Sequence, residues 1–186
     1  YEDMYEASKT ITEGSKGEVY GMAMNTSNNQ DGWYKLVYAY GGKMITDDHK
    51  GTTIGSAEGK AGMEMMRKLL SVGAPQTVVA ETGTDSLFKS GKAAMITQGS
   101  WMINSFYTAE NAADYAWAML PYADVNANAA CDEGERWSAY NGLGWAASYN
   151  TEDPDAAWGL ISYFCSEQGQ LEQAKLGVTM GGMLGV

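Results

Sequence analysis

The sequence has no run approaching the roughly 18–20 apolar residues that a bilayer crossing needs, and no basic segment leading into an apolar one at its start. No three basic residues cluster anywhere: 12 Lys and Arg stand against 23 Asp and Glu, for a net charge of −11. Phosphate binding requires gathered positive charge, which argues against nucleic acid or an anionic membrane as a partner. Cysteine is scarce, at two residues, and histidine scarcer, at one. Cys131 lies in an acidic, Ala-rich loop and Cys165 ends an apolar helix. The pair allows a disulfide, while a buried thiol at Cys165 suits its surroundings better. His49 stands alone in "TDDHKG", a surface turn, and neither it nor the cysteines show zinc spacing, so no metal or cofactor is expected. GxSxG, P-loop, GxGxxG and HExxH are all missing. Asp47-Asp48 and Glu152-Asp153 belong to a turn and a helix start, and no acid sits in an apolar setting that would raise its pKa. No catalytic residue is expected.

What the chain does have is core material. At 186 residues, 45% of them hydrophobic and 19% charged, it can bury one good core, or build one large domain with an extension. Its opening, "YEDMYEASKTI", reads as the middle of an amphipathic helix with Tyr1, Met4, Tyr5 and Ser8 on one face, as in a chain that begins partway into a longer protein. Strand-like apolar runs at Val19–Met24, Ala93–Thr97 and Tyr115–Pro121 alternate with helical patterns. Trp33, Leu36, Val37 and Tyr40 have helical spacing, closed by Gly41-Gly42. Ser56 caps a helix running to about Leu70, with Ala61, Met65, Met66, Leu69 and Leu70 inward and Gly73 as its stop. The 12 methionines of the chain read as core. Asp85 caps a short helix, Met102 to about Asn111 forms another, and Tyr122 to Arg136 has no periodicity and is a loop. "WSAYNGLGWAAS" reads as a β segment broken by glycines. Asp153-Pro154 opens a helix with Ala157, Leu160, Ile161 and Phe164 inside, and Ser166 caps a last one ending at Gly177. The class is α/β, a mixed sheet flanked by helices.

The stretch "LFKSGKAAMITQGSW", Leu87 to Trp101, carries the functional signal. A strand that passes through Gly-Ser straight into a helix gathers free backbone N–H groups beyond its carboxyl end, where α/β folds bind ligands. Gly99 permits close approach, Ser100 caps the helix and offers a hydroxyl, and Trp101 lays a flat apolar face beside these donors. A pyranose ring, with C–H groups on its faces and hydroxyls on its rim, suits such a surface. The alternative is that Trp101 is simply a large core residue. Tryptophan recurs in "NNQDGWY", "QGSW" and "YNGLGW", all in Gly- or Asn-flanked loops, whereas Trp158 lies in a helical stripe, as a packing residue should.

At these residues the chain resembles extracellular solute-binding proteins of ABC importers, in the family-1, maltose-binding-like group. The pattern from Phe88 to Trp101, "F-x-x-G-K-A-A-M-x-x-x-G-S-W", is similar to that family's central signature. The "LP" of "AMLP", the "YGGK" after the Trp33 helix and the tail "NGLGWAASYNTEDPDAAWGLISYFCSEQGQ" follow in the family's order. The resemblance covers most of residues 18–177. It implies one lobe of a two-lobed, periplasmic-binding-protein-like fold. Residues 1–121 would form the second lobe, and 122–186 a crossing-back segment with a strand and two helices, the first lobe being absent. Trp101 matches the position where the family stacks an aromatic on sugar. Trp33 and Tyr34 fall where another aromatic is common, and Asn141, Gly142 and Trp145 lie in the glycine-containing ligand loop.

The resemblance therefore implies a carbohydrate ligand, mono- or oligosaccharide, delivered without chemistry to ABC permease subunits. It also implies an extracellular or periplasmic setting, with lipid anchoring in the full-length protein. In the family the crossing-back segment packs on the other lobe, so an exposed apolar face near Leu160, Ile161 and Phe164, with a possible dimer or domain swap, is expected. Two alternatives stand beside this. The same fold would hold a polyamine or other small cation within a Trp cage, and a carbohydrate-processing enzyme or adhesion module would also expose aromatics.

Overall fold

The helix that organises the chain is the one Ser56 begins. In the computed structural model, which describes residues 1–27, 30–139 and 144–176, the Ser56 hydroxyl oxygen accepts from the N–H of Gly59 at 3.2 Å. Numbered in chain order, the α-helices are α1 Glu2–Gly14, α2 Lys35–Ala39, α3 Ala57–Val72, α4 Gln76–Thr82, α5 Thr84–Lys89, α6 Ile103–Tyr107, α7 Pro154–Cys165 and α8 Glu167–Lys175. A π-helical turn, Gln30–Tyr34, runs into α2, and 3-10 turns occupy Ser100–Met102 and Ala112–Asp114. The chain divides into two units: Tyr1–Gln98 with Ala116–Ala139, and Gly99–Tyr115 with Tyr140–Val186.

In the first unit α3 packs against α1 and α2. Its buried residues are Gly59, Gly62, Met65 and Leu69, whereas Ala61, expected to face inward, is exposed. Glycine decides that face. A Cβ on Gly62 would stand 2.7 Å from the carbonyl oxygen of Leu36 and 2.8 Å from Cα of Val37, so the two helix backbones touch there. Met22, Met24, Leu36, Met65 and Leu69 build the main core, with Tyr1 and Ala123 at its edge. A smaller cluster joins Ala23, Ala74, Val79, Leu87 and Ala93.

The expected mixed sheet is represented, among the described residues, by two isolated parallel bridges, Tyr20 with Ala93 and Ala23 with Ile96. Tyr20 donates to Lys92 at 2.8 Å, Ala94 to Tyr20 at 2.9 Å and Ala23 to Met95 at 3.0 Å, a short but regular parallel register. The third expected strand, 115–121, has no bridge; Trp117 and Met119 are exposed, so nothing there buries a pleated face. Between Lys43 and Thr53 the chain turns back as a hairpin-like loop, Thr46 donating across to Gly51 and Thr53 to Lys43 at 2.9 Å each, with His49 in the left-handed region (φ 58°).

Residues 122–136 form a loop, as expected, with a surface held by its own side chains, whereas the β segment expected from Trp137 to Ser148 has no strand pairing at its described residues, 137–139 and 144–148. The loop's ends meet where Ala123 N–H donates to Glu135 at 2.9 Å. Trp137 stacks on Tyr38, ring centroids 4.3 Å apart and planes within 9°, and the Arg136 guanidinium lies 5.7 Å from the centre of the Tyr122 ring.

In the second unit α7 starts as the sequence indicates, Asp153 accepting from Ala156 N–H at 2.9 Å with Pro154 in the first turn. Ser166 begins α8 by accepting from Gly169 N–H at 3.1 Å. The expected helix stop at Gly177 lies outside the described residues. No residue of α7 is fully buried: Ala157, Ile161 and Phe164 of the expected inward stripe are half-buried, Leu160 is 57% exposed, in line with the exposed apolar face expected there, and Trp158, expected to pack, is 68% exposed. Cys165 is exposed too, as is Cys131, and both are free thiols.

Candidate functional site

The Gly99-Ser100-Trp101 corner starts a helical segment, as the sequence indicates, but by a different device. Gly99 occupies the cap position of the 3-10 turn, its carbonyl accepting from Met102 N–H at 3.0 Å, and no side-chain cap bond forms, so Ser100 is not a capping residue. The Ser100 hydroxyl is left on an exposed residue. Trp101 folds its six-membered ring back over the Gly99 backbone, which only a residue without Cβ allows. The indole remains 47% exposed. It is not a core residue, and the choice left open in the sequence resolves toward the surface reading.

Trp145, in the same unit, stacks on Phe164 of α7 with centroids 4.6 Å apart and planes 20° from parallel, leaving 54% of it exposed. Asn141 and Gly142 lie outside the described residues.

In the first unit, Trp33 and Tyr34 close the π-helical turn and meet edge to face, centroids 4.7 Å apart and planes at 83°. Both are half-buried. Next to them in sequence, Lys35 is buried, and its Nζ donates to the Thr97 hydroxyl at 2.6 Å. That bond ties the start of α2 to the end of the 93–97 segment. Sequence reasoning passed over Lys35 because a lysine within an apolar stripe reads as solvent-facing.

A surface hollow of about 310 Å³ lies elsewhere, lined by Gly41, Lys43, Thr46, Asp47, Thr53, Ser56 and Glu58. An ion pair between Lys43 and Asp47 (2.5 Å) sits at its rim. The Thr46 hydroxyl and then the Lys50 N–H hold the Asp48 carboxyl below its ordinary range, and the Ser56 hydroxyl does the same for Glu58. These are turn and cap bonds of exposed acids. The hollow offers no aromatic face and contains none of the expected ligand residues, so the tryptophan surfaces, which do have stacking chemistry, are the better candidates.

The family model for bacterial extracellular solute-binding proteins matches residues 1–182, and the chain belongs to that family. Among solved structures it is similar to the GacH receptor of Streptomyces glaucescens GLA.O, determined unliganded and in complex with acarbose and an acarbose homolog. The TM-score is 0.65 at 20% identity, over 97% of this chain and 45% of that one. The fold is thus that of the periplasmic-binding proteins, and this chain spans less than half the length of that receptor. No curated sequence matches.

Proposed function

We propose that the chain is a sugar-binding part of an extracellular solute-binding protein that passes a carbohydrate to the permease of an ABC importer. The observation that carries this is the Trp101 surface. An indole held by one edge against a glycine and left half open to solvent, beside an exposed hydroxyl, is a stacking platform for a pyranose face. The acarbose complexes of the GacH receptor support the same ligand class, because acarbose is a pseudo-oligosaccharide. In this reading Trp101, Trp145, Trp33 and Tyr34 supply apolar faces, while Gly99, Ser100, Asn141 and Gly142 supply polar contacts.

The finer points belong to the same proposal. The chain would be one lobe and crossing-back segment, with a mixed sheet completed in the whole protein, and the whole protein would be lipid-anchored at the cell surface. The exposed Trp158, Leu160 and Tyr163 on α7 would meet the other lobe, or a second copy when that lobe is missing. The protein would bind its solute unchanged.

The test is calorimetric titration of the chain, and of the full-length protein, with acarbose, a maltooligosaccharide series and spermidine. Saturable heat with saccharides that is lost in Trp101→Ala supports the proposal. Heat with spermidine alone, or release of a cleaved product from the saccharides, overturns it.

A further inference from the structure

From Asp124 to Glu135 the chain reads Asp-Val-Asn-Ala-Asn-Ala-Ala-Cys-Asp-Glu-Gly-Glu. Oxygen-bearing side chains occupy the first, third, fifth, ninth and twelfth places, as Asp124, Asn126, Asn128, Asp132 and Glu135. A twelve-residue loop with those donors, a main-chain carbonyl from the seventh place and a carboxylate at the twelfth is how a protein surrounds calcium with hard oxygen ligands. Such loops turn sharply at the sixth place, where glycine is usual. Here the sixth residue is Ala129, and it takes the same left-handed conformation, φ 60°.

The loop is already wound. The Asp124 carboxylate accepts from the N–H groups of Asn128 and Ala129, both at 2.9 Å. The side-chain amides of Asn126 and Asn128 donate to one oxygen of Asp132, at 2.6 and 2.9 Å. The third, fifth and ninth side chains thus converge on a single point. A half-turn of each amide puts its oxygen where its nitrogen stands.

Glu135 gives an observation of another kind. It is only 4% exposed, and its carboxylate accepts from Val125 N–H at 3.1 Å and Asp132 N–H at 2.8 Å. Among the described residues no Lys, Arg or His side chain pairs with it, nor with Asp124 or Asp132; the Tyr1 ammonium, bound to the Tyr122 carbonyl, acts on Asp124 without forming an ion pair. The adjacent Arg136 is turned to the Tyr122 ring and the Met119 sulfur. The two N–H donors satisfy the Glu135 carboxylate oxygens but leave its charge uncompensated, and a buried charge gains further from a basic residue or a metal ion beside it. No three His, Cys, Asp or Glu side chains gather as a metal site among the described residues. A hard cation, however, also recruits amide and main-chain oxygens, which this loop supplies.

We propose that the Asp124–Glu135 loop binds one calcium ion. Asp124, Asn126, Asn128, the carbonyl of Ala130 and the bidentate carboxylate of Glu135 would coordinate it, with Asp132 reaching it through water. Three carboxylates against a divalent ion leave the site with little net charge. The ion would fasten the loop to the core at Ala123, which is buried beside Glu135. Magnesium, which demands octahedral geometry and sheds water reluctantly, suits this donor set poorly. The site is independent of which solute the protein carries.

The experiment strips the chain with EDTA, titrates it calorimetrically with CaCl2 and with MgCl2, and follows Tm in parallel. One Ca²⁺ per chain is expected, with Kd on the order of 10⁻⁴–10⁻³ M or tighter, a rise in Tm with CaCl2 and a smaller response to MgCl2. Asp124→Asn and Glu135→Gln should each weaken binding by about tenfold or more and remove the rise in Tm. Asp48→Asn, in the hairpin-like turn outside this loop, should change neither. If Glu135→Gln does not fold, Asp124→Asn and Asn128→Ala, both at exposed positions, carry the test. Absence of heat and of any Tm change up to about 10 mM CaCl2, an equal response to Mg²⁺, or binding retained in the folded variants overturns the proposal.

Discussion

The six-membered ring of Trp101 lies on the backbone of Gly99: a Cβ at residue 99 would stand 2.1 Å from Cζ3 and 2.2 Å from Cη2 of the indole. The glycine therefore sets the orientation of the ring, and the ring's exposure sets what it can do. Trp101→Ala should weaken saccharide binding by about 1–3 kcal/mol. The accompanying stability loss should stay well below the roughly 3–5 kcal/mol of a buried tryptophan. Gly99→Ala should act on binding through the displaced ring, and its tryptophan emission should shift. Calorimetry and a melting curve on each variant check both.

Gly62 reports on a different contact. Alanine is the better helix former by about 1 kcal/mol, yet at Gly62 its methyl would meet the backbone of α2 rather than a yielding side chain. Gly62→Ala should cost about 1–3 kcal/mol, read as a lower denaturant midpoint. A stabilised variant would show that the two helices do not touch.

Tyr1 buries a hydroxyl that has no hydrogen-bond partner among the described residues. Tyr1→Phe removes that desolvated group while keeping the ring, and should raise stability by about 1 kcal/mol. Thermal unfolding of the two chains side by side decides it.

Alkaline pH should unfold the first unit. Burial, with a smaller push from Glu2, moves the Tyr40 phenol up from 10 to about 12, and burial also raises Tyr1. Because the folded state favours the neutral phenol, its stability is fully present below about pH 10 and is lost as pH climbs toward about 12. Denaturant midpoints taken between those limits, with phenolate absorbance followed in parallel, should fall together with tyrosine ionisation.

Both thiols are exposed and free. Two equivalents of a thiol reagent should react per chain without denaturant, and reducing agent should leave Tm unchanged. A chain that needs unfolding before Cys165 reacts would restore the buried-thiol expectation.

Three helix starts were legible because capping is local chemistry: Ser56, Asp153 and Ser166 each bind the N–H three residues on, as their spacing implies, whereas Asp85, expected to cap, lies inside α5, whose cap position is Gly83 with no side-chain bond. Helix α4 was missed for the opposite reason. Its cap position is Pro75, with no side-chain bond, and its "QTVVAET" has a weak intrinsic helix preference. Burial of Val79 among Ala74 and Leu87, a tertiary effect, is what holds it. The apolar run from Tyr115 to Pro121 failed as a strand because an apolar run specifies a strand only where something covers it. Trp158 failed as a packing residue because helical spacing defines a stripe but not its neighbour. At the candidate site, the openness of Trp101 followed from its glycine context, whereas the Lys35–Thr97 bond could not be read, since it joins residues far apart in sequence. The stretch from Asp124 was passed over as a loop because its regularity is in oxygen donors, not in hydrophobicity.

The two parallel bridges have a kinetic meaning. They join segments separated by roughly 70 residues, and α2 to α5 all lie in the span they enclose. Closing so long a loop costs entropy that only the final register repays, so pairing should come late, after the intervening helices have gathered, and refolding should be paced by this closure rather than by helix formation.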